Sequence, residues 1–149
     1  MNLQFKTVCQ LNHSYTRNSG VVRGLNYQEK PYNQAKVVRV VKGSVYSIGL
    51  NIDQGSRFYS QWCGFLLTAD SKHLMYLPSN YAHGFITMER DTELEYFTDN
   101  IYAKMSAKSV AWNDPDIAID WTMNGDIVLD TSCMSEKNKA APLLKETDF

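Results

Sequence analysis

Almost nothing in the first 130 residues of this chain repeats with the period of a helix; short runs rich in Val, Ile, Tyr and Trp recur instead, each closed by Gly, Pro, Asn or Asp. Candidate strands fall at 21–28, 35–42, 45–52, 62–67, 74–77, 83–88, 93–102 and 117–121. Many short strands at this spacing predict a sandwich or a closed barrel, the arrangements that protect strand edges. The Lys42-Gly43-Ser44 break between two Val-rich runs reads as a tight hairpin, and residues 51–56 as a longer polar loop. Only residues 135–146 look helical, with Pro142 limiting them to one or two turns. The expectation is a mostly β domain spanning residues 1–149 with a short C-terminal helical segment.

With 44% hydrophobic and 21% charged residues, 149 residues suffice for one buried core. Fifteen basic against sixteen acidic side chains leave a net charge of -1, so no global positive field exists to collect nucleic acid or an anionic membrane. Any phosphate must be held by a local pocket. No apolar run is long enough to span a bilayer, and the first ten residues lack a charged segment followed by an apolar one, which predicts a cytoplasmic protein. Cys9, Cys63 and Cys133 are odd in number and have no CxxC or CxxH spacing, the pattern of buried or idle thiols rather than of disulfides or zinc.

Read in order, Gln10-Leu11-Asn12-His13-Ser14, Gly20-Val21-Val22-Arg23-Gly24-Leu25-Asn26-Tyr27-Gln28, Gln34-Ala35-Lys36-Val37-Val38, Pro78-Ser79-Asn80-Tyr81-Ala82-His83-Gly84-Phe85 and Trp112-Asn113-Asp114-Pro115 form a collinear series. From about Val8 to the C-terminus the chain resembles the dTDP-4-dehydrorhamnose 3,5-epimerase family. The resemblance implies a cupin-type jelly-roll barrel, usually a homodimer, holding a nucleotide-linked 4-keto-6-deoxysugar in the biosynthesis of deoxysugars and O-antigen-type polysaccharides. In family terms the chain starts near Val8, which implies that a few dozen residues that normally help enclose the nucleotide have no counterpart. The nucleobase stays open between dTDP and CDP. With no His-x-His pair, His83 alone makes no transition-metal site, so neither a metal nor a redox cofactor is expected.

A 4-keto group acidifies the C–H bonds at C3 and C5. Epimerisation then needs a base to take a proton, a positive group to hold the enolate oxygen, and an acid to return a proton to the opposite face. The resemblance implies the second role for Lys36 and the third for Tyr96; residue type alone leaves open a solvated strand-end lysine and an ordinary core phenol. On a single strand over 93–102, Tyr96, Thr98 and Tyr102 share parity, so two phenols would line one cavity. The resemblance also implies that Arg23 contacts phosphate, for which its guanidinium fork is suited, and that Gln10, Asn12 and Gln28 lie towards the nucleotide.

The base is where the chain departs from the family, which keeps a histidine in an Arg-Gly-Leu-His stretch, assisted by an acidic residue near the C-terminus. Here Arg23-Gly24-Leu25 is followed by Asn26, whose amide accepts no proton at neutral pH. The assisting position falls on Asn138 when Ser135-Glu136-Lys137-Asn138 is set against the family's Ser-Glu-Lys-Asp, or on Cys133 by an ungapped count. The acidic residue that follows the first hairpin in the family is Ser47 here. Losing both halves of a His–carboxylate pair together is physically coherent, since a carboxylate left alone in an apolar barrel is costly to bury. An unreplaced base would forfeit roughly 10²–10⁴ in rate. His83 is the candidate replacement, with a core histidine as the equal alternative; Tyr102 or Cys133 would serve only with a lowered pKa, and His13 and His73 are less central. Two functions follow: an epimerase that inverts one centre, C3, or a nucleotide-sugar-binding relative without activity.

Overall fold

The computed structural model describes residues 4–147; residues 1–3 and 148–149 of the expected 1–149 unit lie outside the described residues. Its strands are β1 (Gln10–Thr16), β2 (Val22–Gln28), β3 (Lys36–Lys42), β4 (Ser44–Asn51), β5 (Trp62–Thr68), β6 (Met75–Leu77), β7 (Tyr81–Thr87), β8 (Thr92–Thr98) and β9 (Ala107–Ser109), followed by one helical turn, α1 (Glu136–Lys139). The strands form two antiparallel sheets, ordered β1-β8-β3-β6 and β5-β4-β7-β2-β9. Apart from β9, this order is the double Greek key of a jelly-roll barrel, so the mostly β fold with a short C-terminal helical segment is the one the chain adopts.

Alternation along the strands builds two cores. Between the sheets, Val38 and Val40 on β3, Val45 on β4, Phe85 on β7 and Leu94 on β8 fill part of the barrel interior. Outside the five-stranded sheet, Leu25, Ile48, Leu50 and Ile86 pack under the C-terminal segment through Ile117, Trp121, Ile127, Met134 and Leu144. That segment thereby presses its chain against β2, where the site forms.

Several sequence expectations are corrected. Lys42-Gly43-Ser44 is a corner and not a hairpin, because β3 pairs with β8 and β6 while β4 pairs with β5 and β7. Gly43 sits at φ +77°, and a Cβ there would lie 2.5 Å from Thr92 Oγ1. Residues 117–121 form no strand; just before them the buried Asp114 carboxylate accepts the backbone N–H groups of Asp116 (2.9 Å) and Leu144 (2.7 Å), and the Asp114 backbone carbonyl accepts the Ala118 N–H (2.9 Å). Strand β8 stops at Thr98, after which the Asn100 side chain donates to Pro31 O (3.0 Å) and accepts from the Ile101 N–H (2.9 Å). Tyr102 is consequently a loop residue and shares no strand with Tyr96. Strand β1 escaped the sequence reading because its polar residues Gln10, Asn12 and Ser14 are the more buried ones and Leu11 and Tyr15 are exposed. The three thiols are free but exposed, not buried. Among the described residues no helix is long and apolar enough to cross a membrane.

Candidate active site

Arg23 and Asn26 are three residues apart on β2, a spacing that puts side chains on opposite faces of a regular strand. A bulge reverses this. Arg23 is in register with Phe85 and Asn26 with His83, so Gly24 and Leu25 together oppose Gly84 alone. Both Arg23 and Asn26 then line the same cleft. The bulge requires glycine: Gly24 has φ +119°, and a Cβ there would meet Gly84 Cα at 2.5 Å and the His83 carbonyl oxygen at 2.6 Å.

The cleft holds about 480 Å³ and is lined by β1, β2, β3, β7 and β8 and by residues 133–138. A smaller space of about 170 Å³ opens beside it, bounded by Gln10, Asn12, Gln28, Gln34 and Tyr102. Asn26, Lys36, Tyr96 and Lys137 line both. The walls carry Arg23, Lys36 and Lys137 but neither Asp nor Glu, which makes this a cavity for an anion. Lys137, which the sequence reading missed, enters from α1; its signal was its place within the Ser-Glu-Lys-Asn stretch, read only for the residue after it. Among the described residues no group of three or more His, Cys, Asp or Glu is placed to hold a metal ion.

Lys36 occupies the inward row of β3 with Val38 and Val40, and it is buried at 9% exposure. Its ammonium has no hydrogen bond or ion pair among the described residues, and since no fully buried side-chain nitrogen or oxygen there lacks a partner, the nitrogen itself opens onto the cavity. Burial, with the Lys137 charge nearby, lowers its pKa from 10.5 to about 8. Tyr96, inward on β8, is half-buried with its hydroxyl likewise unpartnered among the described residues, and burial raises the phenol's pKa. His83 on β7 is buried; its Nε2 lies 2.9 Å from Ser47 Oγ. Burial first and the Lys36 charge second lower its pKa from 6.5 to about 3, so the ring is neutral throughout the physiological range. A serine hydroxyl can donate or accept, so Ser47 orients the ring without dictating which nitrogen carries the proton.

Opposite stands a closed network of neutral groups. Asn138, buried behind β2, accepts the Gly24 N–H (3.1 Å) and the Ser135 hydroxyl (3.1 Å) at Oδ1. Its Nδ2 donates to Asn26 Oδ1 (3.0 Å), which also accepts the Ser109 hydroxyl (2.7 Å). Of the two aligned alternatives, Asn138 is the one that meets Asn26; Cys133 lies at the cleft rim, its Sγ accepting from Asn18 Nδ2 at 3.2 Å.

The remaining candidates sit towards the smaller space. Gln10 Nε2 donates to Asn12 Oδ1 (3.0 Å), and its Oε1 accepts the Tyr102 N–H (3.1 Å). Gln28 ties loops together, donating to Tyr32 O (2.6 Å) and Ile101 O (3.0 Å) and accepting the Ala103 N–H (2.8 Å). Arg23 is exposed at the rim, one guanidinium nitrogen on Tyr15 O at 3.2 Å. His13 points away on the outer face of β1, between Glu93 (3.0 Å) and Glu95 (3.4 Å), and His73 lies in an exposed loop.

Comparison with known proteins gives the site its context. The family model described as dTDP-4-dehydrorhamnose 3,5-epimerase matches residues 2–146. The dTDP-4-dehydrorhamnose 3,5-epimerase of Shigella flexneri is 36% identical over 128 residues, 86% of this chain and 70% of that one. The dTDP-6-deoxy-D-glucose-3,5-epimerase of Legionella pneumophila, solved with dTDP-4-keto-L-rhamnose, superposes with a TM-score of 0.87 at 32% identity, covering 95% of this chain and 72% of that one. A 3'-monoepimerase from Streptomyces bikiniensis, solved with dTDP-quinovose, gives 0.83 at 28% identity, covering 93% and 67%. By the family match and the fold alike, this chain belongs to the dTDP-4-dehydrorhamnose 3,5-epimerase family.

Proposed function

We propose that the chain is a carbohydrate epimerase that binds a nucleoside-diphosphate-linked 4-keto-6-deoxysugar, dTDP- or CDP-linked, and inverts one centre, C3, through an enolate. The observation that carries this reading is Lys36: a buried lysine whose ammonium has no partner among the described residues, in a cavity whose described lining has cations and no carboxylate. Such a charge is unfavourable until an anion arrives beside it, and enolate formation supplies one. In this scheme His83 takes the C3 proton. Its low basicity in the empty cavity is offset as negative charge moves onto the ketone oxygen, so the pair forms together. Tyr96 returns a proton from the opposite face. Arg23 and Lys137 hold the diphosphate, with Gln10, Asn12, Gln28 and Tyr102 towards the nucleotide. The same reading places the chain in deoxysugar biosynthesis as a cytoplasmic homodimer, with residues 1–149 acting as one cupin-like unit.

A second reading, a nucleotide-sugar-binding relative without activity, is favoured by the neutral amides at Asn26 and Asn138. Incubation of a dTDP-linked 4-keto-6-deoxysugar in deuterated water, followed by NMR, separates the two. Label at C3 alone is expected; label at neither carbon, with nucleotide binding established, would leave only the binding role.

A further inference from the structure

The amide chain behind β2 has a direction, and the direction decides what Asn26 offers the cavity. It starts at a group that can only donate, the Gly24 backbone N–H, held in place by the bulge. The Asn138 atom that receives it must be Oδ1, and the Ser135 hydroxyl, able to donate or accept, then donates to the same oxygen. The other Asn138 atom is then Nδ2, a donor, so the Asn26 atom it meets at 3.0 Å must be Oδ1, which also takes the Ser109 hydroxyl at 2.7 Å. One backbone N–H thereby fixes the orientation of both carboxamides. The acceptor of Asn26 is satisfied twice over, and its Nδ2 has no partner among the described residues. Asn26 lines both the larger and the smaller space, in company with Lys36, and it is the cross-strand neighbour of His83 on β7.

We propose that Asn26 is a second donor to the substrate's ketone oxygen: its Nδ2–H and the Lys36 ammonium together hold the charge that develops there. The proposal rests on the 4-keto-sugar reading and adds to it a named substrate contact. The logic is geometric. Asn26 supplies an N–H whose amide is anchored through Asn138 to the Gly24 backbone, so little reorganisation is needed when the oxygen becomes anionic. It is the cross-strand neighbour of His83, the group assigned the C3 proton, which sets the donor on the side of the cavity where the C4 ketone oxygen, two bonds from that carbon, would lie. As a neutral donor it works at pH values where the amine of Lys36 has lost its charge.

The test is Asn26→Asp, which keeps the shape and keeps an oxygen to accept from Ser109 and Asn138 but removes the outward N–H; Asn26→Leu is the apolar control. The probe is a dTDP-linked 4-keto-6-deoxysugar carrying ¹³C at C4, and the readout is the infrared stretch of the bound carbonyl, which needs no turnover. Wild-type protein should shift the band to lower frequency relative to free ketone. Both variants should lose part of that shift, Lys36→Met the rest, and the exchange rate of both Asn26 variants should fall roughly 10²-fold with KM changed less than about threefold. An unchanged carbonyl band in folded Asn26→Asp and Asn26→Leu proteins, judged by their melting and dTDP binding, would overturn the proposal. So would a rise in KM at unchanged kcat, which would assign Asn26 to ground-state binding. A shifted band in wild type without deuterium exchange would leave this contact standing while removing the epimerase reading.

Discussion

The two walls of the cavity are built on opposite terms. On the β3–β8 wall, Lys36 and Tyr96 are buried or half-buried with no partner of their own among the described residues. On the β2 wall, Asn26, Ser109 and Asn138 satisfy one another and the Gly24 N–H, leaving one outward amide edge. Protein interiors normally pair their polar groups, so the first wall is held at a cost that folding alone does not explain, and the second is what ordinary interior packing looks like. The difference teaches where the chemistry lies: the strained wall waits for a ligand, and the satisfied wall positions one.

Substitutions that exchange these characters break the comparison most sharply. Lys36→Met and Tyr96→Phe should each lower deuterium exchange into the sugar by roughly 10²–10³, measured at saturating substrate by NMR. The same Lys36→Met change should raise stability at pH 7, by on the order of 3 kcal/mol in urea titrations, because it removes an ammonium whose pKa is depressed from 10.5 to about 8. The sign follows from proton counting. Between pH 8 and 10.5 the unfolded chain binds the proton that the folded chain has released, so wild-type stability, taken as the difference from Lys36→Met, rises through that window, while the penalty is fully present below it. The rate constant kcat/KM should move the other way and fall above about pH 8 as the ammonium is lost. No acidic limb near 6.5 is expected, since His83 stays neutral down to about 3.

On the satisfied wall the order reverses. Asn138→Ala leaves the buried Gly24 N–H without its acceptor and should destabilise by roughly 1–3 kcal/mol, with a smaller loss of exchange than Lys36→Met. A variant on this wall that gained stability, or one at Lys36 that lost it, would erase the distinction. The smallest effect is expected at the exposed rim: Arg23→Ala should weaken dTDP binding about tenfold, more at low salt, with kcat almost unchanged.

Most strands were legible because apolar alternation carries them, whereas for Lys36 and Tyr96 only the family resemblance pointed to the cavity, residue type alone leaving open a solvated lysine and a core phenol. Val38 and Val40 set the parity of Lys36 on β3, as Leu94 does for Tyr96 on β8. What was not legible depends on partners distant in the chain. The Gly43 corner looks like a hairpin until the pairing of β3 with β8 is known. The bulge at Gly24 and Leu25, which brings Arg23 and Asn26 to one face, is a property of two strands and not of one. Strand β1 was missed because its inward residues serve a polar cavity, inverting the usual pattern. Tyr102 kept its place beside the smaller space although the strand meant to carry it ends at Thr98.

The positive charge of Lys36 inside the barrel has no partner among the described residues, and it can be titrated directly. In protein labelled with ¹³C at lysine Cε, the resonance absent from Lys36→Met identifies Lys36. It should titrate near pH 8 in the empty protein and move to higher pH when a dTDP-linked 4-keto sugar fills the cavity. A midpoint near 10.5 that ignores the ligand would contradict the account, because it would describe a lysine facing water.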